Sequence, residues 1–241
     1  MSDPLISCVV PAFNSARYIG EALDSILAQT YRPLQVIVVD DGSTDATCDI
    51  AAQRGGDVRL LTQKDQGPAA TRSAGVRAAR GEFVAFLDAD DLWHPEKLAR
   101  QMARFRARPE LDLCLCHVRP FYSDELDEER RAYDGHPRTG DLPGYATPAL
   151  LARRTVFDSV GLFDPELWFA DATEWFMRAD RLDAVLEVLP DVLVYHRLHQ
   201  ANLTRRRSDA SRAEFLRVVH DSLKRRRAAG EGPSEAEEAP A

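Results

Sequence analysis

The 241-residue sequence predicts an α/β fold: a mostly parallel open sheet flanked by helices, in one domain that ends in a helix. Three observations lead there. Short β-branched apolar runs alternate with segments of helical period through the first hundred residues. The run Val36-Ile37-Val38-Val39 is apolar on both faces, as in a central parallel strand. Several runs stop abruptly at polar residues, where open sheets place their ligand crevice.

Taken in order, residues 6–10 form the first strand. Asn14 and Ser15 offer N-cap chemistry to a helix whose stripe is Ile19, Leu23, Ile26 and Leu27. The second strand, 36–39, ends at Asp40-Asp41-Gly42-Ser43. A helix over 44–53, a strand over 58–62, a helix over 68–79 and a strand over 83–87 follow. That last strand ends at Asp88-Ala89-Asp90-Asp91, and Pro95 suits the first turn of the next helix. Strands spaced by helices of this length make right-handed βαβ units.

The apolar run 111–118 reads as a further strand. Residues 122–145, rich in Asp, Glu, Arg, Pro and Gly, read as a long excursion or a partly mobile loop. Structure resumes over 148–157, the turn-like Gly161-Leu162-Phe163-Asp164-Pro165, a helix over 171–182 and a strand over 185–194. The last helix, 209–227, carries Phe215, Leu216, Val219 and Leu223 on one stripe and ends in Lys224-Arg225-Arg226-Arg227. Residues 228–241 have the composition of a disordered tail.

With 31 basic and 39 acidic side chains, the net charge of −8 argues against a nucleic-acid partner. The first residues lack the basic and apolar regions of a signal peptide, and no apolar stretch reaches about eighteen residues. The expected location is therefore cytoplasmic, with peripheral contact at the inner face of a membrane left open. Cys8, Cys48, Cys114 and Cys116 read as reduced thiols. The basic clusters at Arg205-Arg206-Arg207 and at the end of the last helix read as solvated helix ends.

Asn14, Asp40-Asp41 and Asp88-Ala89-Asp90-Asp91 follow three strands and should share one rim. Carboxylates along one edge repel one another unless a cation neutralises them. The sequence has neither a Gly-x-Gly-x-x-Gly fingerprint nor a Gly-x-x-x-x-Gly-Lys-Ser/Thr loop. A diphosphate would then be held through a divalent cation, and Asp88 and Asp90, one residue apart, suit Mg²⁺ or Mn²⁺.

Val9-Val10-Pro11-Ala12-Phe13-Asn14, Val39-Asp40-Asp41-Gly42-Ser43-Thr44-Asp45, Gln66-Gly67 with Arg72 and Gly75, and the run from Gly81 through Asp91 resemble successive blocks of the family 2 inverting glycosyltransferases. The likeness covers residues 5 to about 205. It implies the A-type glycosyltransferase fold, a nucleotide-diphosphate sugar donor and a bound Mn²⁺ or Mg²⁺. Residues 1–100 would be the nucleotide-sugar-binding half and 101–207 the acceptor-binding and catalytic half, followed by the 208–227 amphipathic helix and the 228–241 tail.

By matching positions, Pro11, Ala12, Asn14 and Asp41 would line the nucleoside pocket, and Arg72 would approach the base or phosphates. Asp88 would touch ribose or metal, Asp90 would ligate the metal, and His199 would add a metal or diphosphate contact. Ser73 stands where many relatives have Asn. The usual Glu-Asp pair at the start of a downstream helix is not intact in Phe169-Ala170-Asp171-Ala172-Thr173-Glu174, which leaves Asp171, then Glu174, as the base. His196 reads as incidental, and Trp168 and Trp175 as either core or acceptor-stacking residues.

The resemblance thus implies direct displacement by an acceptor hydroxyl, with a carboxylate base and a metal-supported leaving group. The acceptor is open among a glycan, a lipid-linked sugar, a peptide and a small molecule. Two rivals remain: a sugar-nucleotide-binding scaffold or sensor without turnover, motivated by the altered helix start, and a sugar nucleotidyltransferase, which would need a glycine-rich basic loop after the first strand.

Overall fold

The computed structural model describes residues 3–132 and 140–229. The expected disordered tail from 230 onward and part of the 122–145 excursion lie outside the described residues.

The first half alternates as expected, through β1 (Ile6–Ala12), α1 (Ile19–Leu27), β2 (Leu34–Asp40), α2 (Thr47–Ala52), β3 (Val58–Thr62), α3 (Gly67–Ala78) and β4 (Phe83–Phe86). A two-residue strand, β5 (Leu92–Trp93), and α4 (Lys97–Ala107) complete it. The second half holds β6 (Leu113–Tyr122), α5 (Asp127–Ala132), β7 (Leu142–Pro143), β8 (Leu151–Arg153), α6 (Val156–Ser159), α7 (Asp171–Arg181), β9 (Leu186–Leu198), α8 (Leu203–Arg206) and α9 (Ser208–Ala229).

The nine strands among the described residues join one sheet in the order β3-β2-β1-β4-β8-β6-β9-β5, with β7 on β6. The ladders β2/β3, β1/β2, β1/β4 and β6/β9 are parallel, while the short β5, β7 and β8 pair antiparallel. Val36 through Asp40 are all buried, as two covered faces require. The core runs on under the second half as an aromatic cluster, with Phe157 stacked on Trp175 at 4.9 Å between centroids and Phe163 edge-on to Phe86 at 5.6 Å. Trp175 is thus a core residue, fully buried.

Four expectations are corrected. Asn14 and Ser15 do not cap α1: the helix begins after Tyr18 without a side-chain cap, because Asn14 is bonded to the next loop instead. α2 starts at Thr47 rather than 44, since Asp45 spends its carboxylate on the amides of Ala16 and Thr47. The excursion contains α5, whose Glu129 pairs with Arg205. The stripe on α9 faces solvent, with Phe215, Leu216 and Leu223 exposed; Val218 makes the contact with Leu167, Ala170 and Met177.

Burial pushes the Cys8 and Cys114 thiols up to about 12 and Cys116 to about 11, so they are inert apolar fillers. Gly75 in the middle of α3 meets the sheet at its closest approach: a Cβ there would lie 2.2 Å from Val9 Cγ1. Gly75→Ala should gain helix propensity but lose more to overpacking, for a net loss of about 1–2 kcal/mol in urea unfolding. An unchanged midpoint would show that α3 can lift off β1.

Candidate active site

The loops after β1 and β2 are laced together by the residues that end them. Asn14 takes φ 47°, a conformation that asparagine tolerates, and its Oδ1 accepts from Thr44 N at 2.8 Å, while Ser43 Oγ accepts from Asn14 N at 2.8 Å. Asp40 accepts from the amides of Gly42 and Ser43. Asp41, buried, accepts from Gln63 Nε2 at 2.8 Å and from the amides of Gln66 and Gly67, at 2.9 and 2.8 Å. It therefore pins the entry of α3. Gly67 sits there at φ 83°, with the Trp168 ring against it. Pro11 and Ala12 pair with Val39 and Asp40, which sets them on the same rim.

One turn into α3, Arg72 spans two carboxylates that lie far apart in sequence. Its Nη2 donates to Asp88 Oδ1 at 2.9 Å and its Nη1 to Asp171 Oδ2 at 2.7 Å. Burial works against the guanidinium charge, but Asp171 and Asp88 outweigh it and raise the Arg72 pKa further. Arg72 Nε is buried without a hydrogen-bond partner, a donor left over beside the rim.

The strand β5 was not legible in the sequence, and it brings Asp90 and Asp91 to β9: Leu92 pairs with Tyr195, so His196 and Arg197 fall beside the aspartates. Asp90 Oδ2 lies 2.9 Å from His199 Nε2 and 3.2 Å from Asn202 Nδ2. Burial pushes the Asp90 carboxyl up, but the hydrogen bond from His199 and the neighbouring His196 charge hold it below the usual range. Ala201 N donates to His199 Nδ1 at 3.2 Å, which assigns the ring proton to Nε2, where it is shared with Asp90.

His196 is not incidental. Its Nδ1 contacts both oxygens of buried Asp91, at 3.0 and 3.1 Å, and the Asp91 charge raises His196 to about 9. Burial in turn pushes Asp91 up to about 6.

Three residues that hold the candidate site in place were not singled out as site residues in the sequence. Arg197, buried between the rings of Tyr18 and Phe121 at 4.5 and 4.8 Å, donates to Asp90 O at 2.9 Å and holds the turn that presents Asp90. Asn202 links Asp90 to the backbone of His199 and Arg197. Glu214 of α9 accepts from the amides of Trp168, Phe169 and Ala170, at 3.1, 2.7 and 2.8 Å, capping the positive end of α7 just before Asp171. Of these, only Asn202 carried a signal, its spacing from His199.

The predicted site residues thus gather unequally. Asp41, Arg72, Asp88 and Asp171 join through α3, while Asp90, two residues past Asp88, joins His199 from 109 positions downstream. Glu174 is drawn away: Arg178 holds it at 2.7 Å, and it lines a cavity of about 230 Å³ between α7 and α9. Among the described residues no group of three His, Cys, Asp or Glu side chains is arranged to hold a metal. Asp90 and His199, whose Oδ2 and Nε2 are hydrogen-bonded at 2.9 Å, are of donor types that would fit a divalent ion. Ligation through Nε2 requires its proton to leave.

Comparison with known proteins adds the decisive observation: residues 7–171 match the model of glycosyl transferase family 2. The chain belongs to that family. Among curated family relatives, an uncharacterized glycosyltransferase of Nostoc sp. is 31% identical over 212 residues, covering 82% of this chain and 66% of that protein. An uncharacterized glycosyltransferase of Bacillus subtilis, EpsJ, is 28% identical over 221 residues, covering 83% and 63%. The chain thus spans just under two thirds of the length of these relatives.

Residues 1–349 of S. aureus TarS superpose with a TM-score of 0.64 at 26% identity, over 88% of this chain and 71% of that one. The complex of TarS with UDP-GlcNAc gives 0.65 at 24%, over 88% and 72%. The Pyrobaculum calidifontis mannosyltransferase PcManGT, in complex with GDP-Man and Mn²⁺, gives 0.65 at 22%, over 98% and 78%. The family match reaches to Asp171, so the residues Arg72 gathers all fall inside it, whereas His199, Asn202 and Glu214 lie beyond.

Proposed function

We propose that this chain is an inverting glycosyltransferase that moves a sugar from a nucleotide-diphosphate donor to an acceptor hydroxyl. The observation that carries the reading is the bridge from Arg72 to Asp88 and Asp171, which joins the donor rim to the helix start expected to bear the base. The family membership supports it, as do the donors seen with structural neighbours, UDP-GlcNAc in TarS and GDP-Man with Mn²⁺ in PcManGT.

In this reading Pro11, Ala12 and Asn14 line the nucleoside side, and Asp41 acts through the α3 entry that it pins. Asp90 and His199 would hold Mn²⁺ or Mg²⁺, with Asp88 reaching ribose or metal. Bound there, the ion would neutralise charge on the departing diphosphate. Arg72 exchanges Asp171 for donor phosphate oxygens, with its free Nε as a further donor. Released from that pair, Asp171 removes the proton of the attacking hydroxyl while the nucleoside diphosphate leaves from the opposite face.

One observation favours a second reading, a sugar-nucleotide binder without turnover: both candidate bases are held in ion pairs, Asp171 by Arg72 and Glu174 by Arg178. Release of nucleoside diphosphate from UDP-, GDP- and dTDP-sugars with Mn²⁺ separates the two. We expect release by the parent, a loss of about 10²-fold or more in Asp171→Asn, and near-parental rates in Glu174→Gln. Thermal stabilisation by a donor without any release would support the binder.

A further inference from the structure

We infer that the outer face of α9 docks on a membrane leaflet that contains anionic lipid. Residues 203–229 carry nine basic and three acidic side chains, in a chain whose total is 31 against 39. Positive charge is therefore concentrated on α8 and α9 while the remainder is strongly acidic. On the inward face of α9, Glu214 is bonded to the α7 entry and Val218 is packed under Leu167 and Ala170, which fixes the helix's rotation.

That rotation turns Phe215, Leu216 and Leu223 to solvent, at 47%, 59% and 40% exposure, with half-buried Val219 between them. Arg212 before this patch and Lys224 and Arg227 after it are exposed as well. An apolar strip ringed by cations matches an acidic lipid surface, because the aromatic and leucine side chains enter the acyl boundary while the cations meet headgroup phosphates. A nucleic acid would use the cations but leave the Phe and Leu unsatisfied. Among the described residues no helix is long and apolar enough to cross a membrane, so the contact would be lateral. The proposal does not depend on the transfer reaction.

Flotation of the full chain with vesicles of phosphatidylcholine, with and without phosphatidylglycerol, tests it. We expect partitioning onto the phosphatidylglycerol vesicles that weakens as salt rises. The double variant Phe215→Ser/Leu216→Ser should lower it about tenfold or more. Arg212→Gln, Lys224→Gln and Arg227→Gln should each lower it about fivefold. Thermal unfolding should remain parental, since every one of these side chains is exposed. Absent partitioning, equal partitioning onto both vesicle types, or unchanged binding by the variants would overturn the proposal. So would a dimer in sedimentation velocity that Phe215→Ser dissociates, because the face would then belong to a second copy of this chain.

Discussion

Arg72→Met should lower the free energy of unfolding by about 3–5 kcal/mol, read from urea denaturation, because it strands two carboxylates that share one guanidinium. Asp171 is the costlier of the two: its side chain is 5% exposed, against 31% for Asp88, so water can replace the arginine at Asp88 but not at Asp171. Methionine keeps much of the apolar stem, which confines the change to the charge. Adding Asp171→Asn should recover a substantial part of the loss, since the uncompensated buried charge is then gone. Arg72→Lys should recover less, because one ammonium cannot span both partners as the planar fork does. A loss below about 1 kcal/mol in Arg72→Met would show that the triad adds nothing net to the fold.

Asp90→Ala should abolish metal-dependent donor binding, with affinity in calorimetry falling about a hundredfold or more when Mn²⁺ is present. Without metal the parent and the variant should bind a nucleoside diphosphate alike. The residue is suited to this test because its partners, His199 and Asn202, are also held by other groups: Asn202 bonds the backbone of both His199 and Arg197. Removing the carboxylate leaves that scaffold in place. Unchanged Mn²⁺-dependent binding would refute the role and shift attention to Asp88.

How far the sequence reveals the molecule depends on the range of the forces involved. The centre of β2 was legible residue by residue, since burial on two faces imposes a local apolar pattern, whereas the edge strand Val58–Thr62, half-buried at most, was legible from its short apolar run alone. β5 was not: two residues carry no period, and Leu92–Trp93 is a strand only because β9 lies beside it. The far end of β9 was missed for the opposite reason, as His196 and Arg197 interrupt the apolar run although each is satisfied by Asp90 or Asp91.

At the site, the rim aspartates were readable from their positions after strands, but their partners were not. Nothing near Asp171 announces an arginine 99 residues earlier, and nothing about Glu214 on a basic helix distinguishes it from a solvated acid. Asn14 was assigned to the wrong partner because a capping residue and a loop-lacing residue have the same chemistry.

Glu214 also sets the smallest piece that can be expected to stand alone. The match to the family model stops at Asp171, yet the amides leading into that residue are satisfied by a carboxylate more than forty positions downstream, and β9 sits inside the sheet between β6 and β5. A fragment trimmed to the matched residues would leave a sheet edge open and the entry of α7 without that carboxylate. Shortened versions of this protein should therefore keep the whole of the final helix.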